Sequence, residues 1–173
     1  VADGICKKLI YRHPHIFGTV EVGSSEEILR NWDELKRKEK HQETDTSALE
    51  SVAKSLPGLI RAEKLQKKAA KVGFDWENAQ GALEKVEEEL DEVKRAVAGD
   101  GDPEEELGDL LFAAVNVARH LKVDPERAME KTCNKFVRRF AEMERQAQQE
   151  NKALSDLSLT ELDTLWNRSK EKE

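Results

Sequence analysis

The sequence predicts an all-α protein, and three observations lead to that prediction. Charged and hydrophobic residues each make up 38% of the chain, whereas glycine and proline are sparse, with 9 and 4 copies. This mixture is typical of helices with heavily charged outer faces. Apolar residues recur at helical spacing between helix start and stop signals, and no convincing alternating strand pattern is present.

Seven helical segments can be bounded from these signals. In chain order they cover about 1–12, 24–40, 57–73, 76–98, 102–121, 124–149 and 158 to near the C-terminus. Asp102-Pro103 and Asp124-Pro125 are strong start signals, because Asp caps a helix and Pro suits its first turn. Ser158 and Glu161 have the spacing of a capping box. The polar stretch 44–51 is predicted to be a linker.

An internal repeat predicts the domain organisation. Cys6–Arg12 resembles Cys133–Arg139, and Trp32–Lys36 resembles Trp166–Lys170. We therefore expect residues 1–43 to be the tail of a truncated first unit, 44–56 to be a linker and 57–173 to be a complete unit. Because the chain starts at a residue other than an initiator methionine, we also expect it to begin inside a longer polypeptide.

The net charge and the lengths of the apolar runs argue against two functional classes, nucleic-acid binders and membrane proteins. A net charge of −7 argues against a general nucleic-acid binder, which needs a basic surface. The longest apolar run, Leu110–Val115, is too short to span a bilayer, and no signal peptide is visible. Cys6 and Cys133 lack metal-ligand spacing and are expected to be free thiols. These features predict a cytoplasmic protein that binds neither nucleic acid nor a membrane.

Two acidic runs, Glu87–Glu92 and Glu104–Asp109, lie on consecutive predicted helices. On a helical wheel the apolar stripe of the first helix is Ala79, Leu83, Val86, Leu90, Val93 and Val97. Glu88 lies nearly opposite that stripe, whereas Glu89, Glu92 and Lys85 follow its flank. The stripe of the second helix is Leu107, Leu110, Leu111, Ala114, Ala118 and Leu121. Glu106 and Asp109 share a flank of that helix.

A short glycine-rich turn joins these two helices, so we expect them to be antiparallel neighbours. Their flanks can then bring together four carboxylates, those of Glu89, Glu92, Glu106 and Asp109. Partly buried acids are costly in one site unless they are protonated or bind a cation. Several oxygen ligands without clustered histidine indicate Mg²⁺ or Mn²⁺ rather than zinc. The alternative is a solvated acidic face, which the first acidic run alone would favour.

Mg²⁺ usually shares its coordination shell with substrate phosphates, so cations are expected near the carboxylates. Lys135 and Arg139 lie four residues apart on one helix, with Arg138 beside them, and Trp166 and Lys170 have the same spacing. They could hold a phosphorylated ligand. Alternatively, Trp166 is an ordinary core residue and Lys170 a solvated charge near a helix end.

These motifs resemble those of the MazG nucleotide pyrophosphohydrolases, in which EExxE is followed by ExxD. Here the two motifs are Glu88–Glu92 and Glu106–Asp109. Further segments also resemble the family, namely His13–Gly18, Leu65–Ala70, Gly73–Trp76, Gly108–Ala113 and Lys135–Phe140. The first unit departs from the family because its own acidic motif pair is absent.

The resemblance implies a MazG-like bundle of four to five core helices per catalytic unit, in a homodimer that associates through helices. It implies Mg²⁺-dependent hydrolysis of nucleoside triphosphates to monophosphate and pyrophosphate, with Mn²⁺ as a possible substitute. The catalytic, metal-binding residues would be Glu89, Glu92, Glu106 and Asp109. The substrate-binding residues would be Lys85, Glu88, Lys135, Arg138, Arg139, Trp166 and Lys170. On the helical wheel, Glu88 points away from the apolar stripe.

Two kinds of alternative function stay open from the sequence. One is a relative with narrower specificity, dUTPase-like or phosphoribosyl-ATP pyrophosphatase-like. The other is a non-catalytic helical scaffold or nucleotide sensor. The residues also favour a dimer independently of the family, because Phe112, Val115 and Val117 lie off the main stripe of their helix and few helices of one unit could cover them.

Overall fold

The computed structural model describes residues 2–20, 23–39 and 44–171. Over these ranges it contains α-helices, one short 3-10 turn at Leu154–Asp156 and no strand, which confirms the all-α prediction. The helices are α1 Ala2–Arg12, α2 Pro14–Phe17, α3 Ser25–Glu39, α4 Asp45–Glu50, α5 Gly58–Ala70, α6 Ala79–Val97, α7 Pro103–His120, α8 Pro125–Gln149 and α9 Leu159–Lys170. The predicted end of the second segment at Lys40 lies outside the described residues.

All seven predicted helical segments are present, and the differences have local causes. Helix α6 begins at Ala79 rather than near Trp76, because the Asn78 side chain accepts hydrogen bonds from the backbone N–H groups of Gln80 and Gly81. The stretch predicted to be a linker contains the short helix α4. Thr44 and Ser47 form a reciprocal capping box at its start, which satisfies two backbone donors that would otherwise lack partners.

The predicted start signals act as the sequence indicates. The Asp102 side chain accepts a hydrogen bond from the backbone N–H of Glu104 at the start of α7, and Asp124 accepts one from Arg127 at the start of α8. At α9, Ser158 and Glu161 form a reciprocal capping box. The hydrogen bonds from the Ser158 backbone N–H and hydroxyl hold the pKa of the Glu161 carboxyl below its usual value.

We expect Ser158→Ala to lower the free energy of unfolding by about 1 kcal/mol at neutral pH, the usual effect of losing a helix cap. Glu161 has a lower pKa in the folded chain than in the unfolded chain, so its contribution is complete above the unfolded value. That contribution disappears as the pH falls through the folded value. Urea denaturation at pH 7 and pH 3 measures both effects, with Ser155→Ala as control. No loss at pH 7 would contradict the capping interpretation, whereas an equal loss at both pH values would show that the Ser158 hydroxyl acts only by accepting from the Glu161 backbone N–H.

Contacts divide the chain into two units, Val1–Glu77 and Asn78–Glu173. In the first unit α1 packs on α2 and α3, and α4 packs on α5. In the second unit α6 and α7 form the main helix pair, and α8 packs on α9 around a small core of Met143, Ala147 and Leu165. Helix α5 is therefore grouped with the first unit, although the internal repeat places a domain boundary near residue 57.

Helices α6 and α7 pack through faces that differ from their predicted apolar stripes. The buried residues of α6 are Ala82, Glu89 and Ala96, whereas Leu83 and Leu90 are each 43% exposed and Val97 is 78% exposed. On α7, Ala113 is buried, whereas Leu107, Leu111, Phe112 and Leu121 are exposed. Small alanines allow two helix backbones to approach closely, so the acid-bearing flanks meet and the leucines remain at the surface.

Val115 corrects one element of the dimer prediction. It was expected to need cover from a second chain, but it is only 2% exposed within the single chain. Phe112, by contrast, is exposed, so it and the leucines of the two stripes are the residues that a partner could cover. Of the other predicted features, the free thiols are confirmed, because Cys6 and Cys133 are unpaired and exposed. Among the described helices, none is both long and apolar enough to cross a membrane.

Candidate active site

Three carboxylates converge where α6 and α7 pack together. One side-chain oxygen from each of Glu89, Glu106 and Asp109 lies within 4.8 Å of the others. Glu89 is buried, Glu106 is half-buried and Asp109 is exposed, so the cluster extends from the helix interface to the surface. The structure thus brings together three of the four predicted metal ligands in an arrangement that could hold a cation.

Glu89 is the most constrained member of the cluster, with 4% of its surface exposed. Its Oε1 atom lies 2.6 Å from Lys85 Nζ, but its buried Oε2 atom has no hydrogen-bond partner among the described residues. An unsatisfied buried carboxylate oxygen is costly, because it has lost its hydration without replacement. This oxygen could therefore bond to a cation or to a proton on the neighbouring Glu92.

Lys85 bridges two acids of the first motif. Its ammonium group lies 2.6 Å from Glu89 and 2.9 Å from Glu88 Oε1, and the hydrogen bonds to Glu89 and then Glu88 raise its pKa above its usual value. The side chain of Glu88 is 59% exposed, in agreement with its outward position on the helical wheel. Lys85 therefore orients the buried carboxylate, and Glu88 lies on the solvent side.

Glu92, the fourth predicted ligand, is a close neighbour of the cluster. Its pKa is raised, first because a proton on it can hydrogen bond to Glu89 and then because of desolvation and the negative charges of Glu89 and Glu106. Arg95 opposes this shift from 3.0 Å away. The direction of this shift thus reflects the hydrogen bond to Glu89 and the loss of hydration first, and the charges of Glu89 and Glu106 after them.

The turn between α6 and α7 contributes a residue that sequence reasoning missed. Gly101 has a φ of +121°, a conformation that glycine adopts far more readily than other residues. A Cβ atom there would lie 3.5 Å from Glu106 Oε1 and 3.6 Å from Ala96 Cβ. The signal in the sequence was the Gly99-Asp100-Gly101 turn, but only the structure places Gly101 beside a carboxylate of the cluster.

A second group of predicted residues surrounds the ring of Trp166. Arg139 Cζ lies 5.7 Å and Lys170 Nζ lies 6.0 Å from the ring centroid, and the Phe136 ring centroid lies 5.2 Å away. Lys135 is half-buried and Arg138 is exposed on the same helix as Arg139. The structure therefore joins α8 and α9 in an aromatic and cationic cluster, in which the contact from Phe136 was not predicted.

The same geometry occurs in the first unit, where the sequence repeat places the equivalent residues. Arg12 Cζ lies 5.5 Å and Lys36 Nζ lies 4.6 Å from the centroid of the Trp32 ring. There, however, Arg12 also forms an ion pair with Glu39 at 2.7 Å, and both side chains are largely covered. The two halves of the repeat thus share a cation–ring arrangement as well as a sequence pattern.

A family model and several known proteins match this chain, and all of the named matches are to nucleotide pyrophosphohydrolases or to an uncharacterized protein. The model of the MazG nucleotide pyrophosphohydrolase domain matches residues 77–143, which include both acidic motifs. The chain is 41% identical to the nucleoside triphosphate pyrophosphohydrolase of Escherichia coli K12, over 100% of this chain and 67% of that protein. It is 41% identical to the nucleoside triphosphate pyrophosphohydrolase/pyrophosphatase MazG of Thermotoga maritima, over 95% of this chain and 62% of that protein.

A third relative, the uncharacterized protein YabN of Bacillus subtilis, is 47% identical over 100% of this chain and 36% of its own length. The chain therefore spans only part of each of these relatives. The helical fold and the carboxylate cluster fit the class of all-α hydrolases that act on nucleotides. Within that class, the chain belongs to the MazG nucleotide pyrophosphohydrolase family.

Proposed function

We propose that this chain hydrolyses nucleoside triphosphates to a nucleoside monophosphate and pyrophosphate, with Mg²⁺ as cofactor and Mn²⁺ as a possible substitute. The observation that carries the proposal is the buried, unpartnered Oε2 atom of Glu89 beside the carboxylates of Glu106 and Asp109. The names of the Escherichia coli and Thermotoga maritima relatives support the same reaction.

The residues present fit a magnesium ion. All donors of the cluster are carboxylate oxygens, which are the hard ligands that Mg²⁺ prefers. Glu89, Glu106 and Asp109 would hold the ion, and Glu92 would complete the set of four. A bound ion would neutralise charge on the phosphate oxygens and polarise the bond that is broken. The exposure of Asp109 leaves the cluster accessible from the surface, where a triphosphate can approach.

The protein's own residues have separate parts in this reaction. Lys85 holds the Glu89 carboxylate, and a carboxylate of the cluster would position the attacking water. Lys135, Arg138, Arg139 and Lys170 would compensate the negative charge of the triphosphate, as phosphoryl transfer requires. The ring of Trp166 offers a flat surface beside two of these cations, which suits a nucleotide base.

The direct experiment measures pyrophosphate release from every ordinary ribonucleoside and deoxyribonucleoside triphosphate, with Mg²⁺, with Mn²⁺ and with a chelator. We expect release from several substrates that depends on the metal. Release from dUTP alone, or from phosphoribosyl-ATP alone, would instead identify one of the narrower relatives. Unchanged folding with and without Mg²⁺, together with no pyrophosphate release, would favour the scaffold or nucleotide sensor.

The cationic cluster is expected to act through substrate binding. Lys135→Ala and Arg139→Ala should each lower kcat/KM by the equivalent of roughly 1.5–3 kcal/mol, the range of a hydrogen bond to a charged group. Steady-state kinetics measure the effect, and Lys131→Ala, an exposed cation on the same helix, is the matched control. Wild-type kinetics in both variants would show that these side chains are only surface charges.

We also propose that the physiological unit is a homodimer. Exposed apolar residues lie on both helices of the packed pair, Leu83, Leu90 and Val97 on α6 and Leu107 and Leu111 on α7, with Leu121 at the end of α7. An exposed apolar surface of this kind marks an interaction site, and an isologous contact would cover both stripes at once.

The domain organisation remains part of the proposal. The shared arrangement of Arg12, Trp32 and Lys36 with Arg139, Trp166 and Lys170 supports a duplication, in which residues 1–43 are the tail of a first unit and 57–173 form the catalytic domain. We propose a cytoplasmic location, since the exposed cysteines are free thiols.

A further inference from the structure

A second concave surface lies in the first unit, between α3, α4 and α5. Its volume is about 850 Å³, which falls within the range of small-molecule sites. Ion pairs hold its walls together, because Lys71 of the segment after α5 binds Asp33 of α3, and Arg37 of α3 binds Asp45 of α4 at 2.9 Å. The cavity therefore lies within one unit, and none of the residues assigned to hydrolysis lines it.

The lining of this cavity combines an apolar floor with a cationic rim. Val52, which is only 6% exposed, lies on the floor with Leu49 and Leu56. Seven of the lining residues are lysine or arginine, and three are aspartate or glutamate. Cations thus outnumber acids here, in a chain whose net charge is −7. This local reversal of sign favours an anionic ligand.

The kind of anion follows from both features together. The cationic rim suits several negative charges, such as a chain of phosphates, and the apolar floor suits an uncharged organic body. Among the described residues the group of acids that could hold a metal lies elsewhere, at Glu89, Glu106 and Asp109. Binding here would therefore depend on the protein's own cations and would need no divalent metal.

We propose that the cavity between α3, α4 and α5 is a second, non-hydrolytic binding site for an organic polyphosphate of nucleoside triphosphate size. Phosphates contact the rim that includes Arg30 and Lys64, and the organic body lies on the floor beside Leu49. The site is independent of the proposed hydrolysis.

The test is calorimetric titration of the whole chain with the α,β-methylene analogue of ATP in excess EDTA. We expect saturable binding that Lys64→Glu weakens by about tenfold or more, the effect of losing one charge-assisted contact. Ala53→Trp, at an exposed lining residue, should weaken binding similarly by filling the cavity without changing charge. Lys8→Glu, an exposed cation of the same unit outside the cavity, should leave binding unchanged.

Two further titrations complete the test. Tripolyphosphate should bind more weakly than the analogue, because it lacks the body that contacts the floor. No binding of the analogue in EDTA, equal binding by wild type, Lys64→Glu and Ala53→Trp, or tighter binding of polyglutamate than of the analogue would overturn the proposal. Failure of pyrophosphate release would leave these results intact, so the two proposals can fail separately.

Discussion

Glu89→Gln and Asp109→Asn are each expected to lower turnover at least about a hundredfold, as the loss of a metal ligand does. Both changes keep the shape of the side chain and remove its negative charge. Glu89 is affected because it is the buried member of the cluster, with its Oε2 atom unpartnered, and Asp109 because it is the exposed member. Single-turnover and steady-state pyrophosphate release, over a range of Mg²⁺ concentrations, measure the loss.

Stability separates this loss of activity from misfolding. Without metal, the melting temperature of Asp109→Asn should stay level or rise, because repulsion within the cluster is relieved. Glu88→Gln is the matched control, since it removes a neighbouring charge on an exposed side chain and should retain far more activity. Normal turnover in both Glu89→Gln and Asp109→Asn would refute the metal assignment.

Leu90→Asp and Leu111→Asp are expected to convert a dimer into monomers and to remove most of the activity. Each places a charge within an exposed apolar stripe, Leu90 on α6 and Leu111 on α7, where a second copy would otherwise exclude water. Light scattering at micromolar concentration measures the mass. The melting temperature of the wild type should rise with protein concentration, because association stabilises the folded chain.

The substituted residue must be exposed in the single chain if the experiment is to distinguish loss of the dimer from unfolding. Leu159→Asp is the matched control, because Leu159 is 75% exposed on α9, outside the stripes. Val115→Asp would not discriminate, since Val115 is buried within the single chain and a charge there would unfold it in any assembly. A well-folded, active wild-type monomer at nanomolar concentration would rule out the proposed dimer.

Helix boundaries could be predicted closely because they depend on neighbouring residues. The capping side chains of Asp102, Asp124 and Ser158 bond to backbone groups two or three residues away, so their spacing in the sequence already contains the geometry. Asn78 and Thr44 act in the same way, and they were missed because their residue types are equally common in loops. Hydrogen bonds between neighbouring residues therefore determine where these helices begin.

The choice of contacting faces could not be predicted from the apolar pattern. The pattern predicts that Leu90 and Leu111 are buried, but it does not identify the helix or the second chain that would cover them. In the folded chain the small residues Ala82, Ala96 and Ala113 are buried on the packed pair α6 and α7, and the leucines remain exposed. Two helix backbones approach closely only where both helices carry small residues, so the contacting face cannot be read from one helix alone.

The amino-acid pattern alone was sufficient to predict the helical class and the helix starts at Asp102, Asp124 and Ser158. It also supplied the hypothesis that four acids and the accompanying cations form the site. Tertiary packing was needed to bury Glu89 with one oxygen unpartnered, to place Gly101 beside Glu106 and to bring cations from α3 and α5 to one cavity. The physical reason is distance along the chain. Hydrogen bonds that cap a helix join residues that are close together in the sequence. The desolvation of a carboxylate and the repulsion between carboxylates of different helices arise only when those helices pack together.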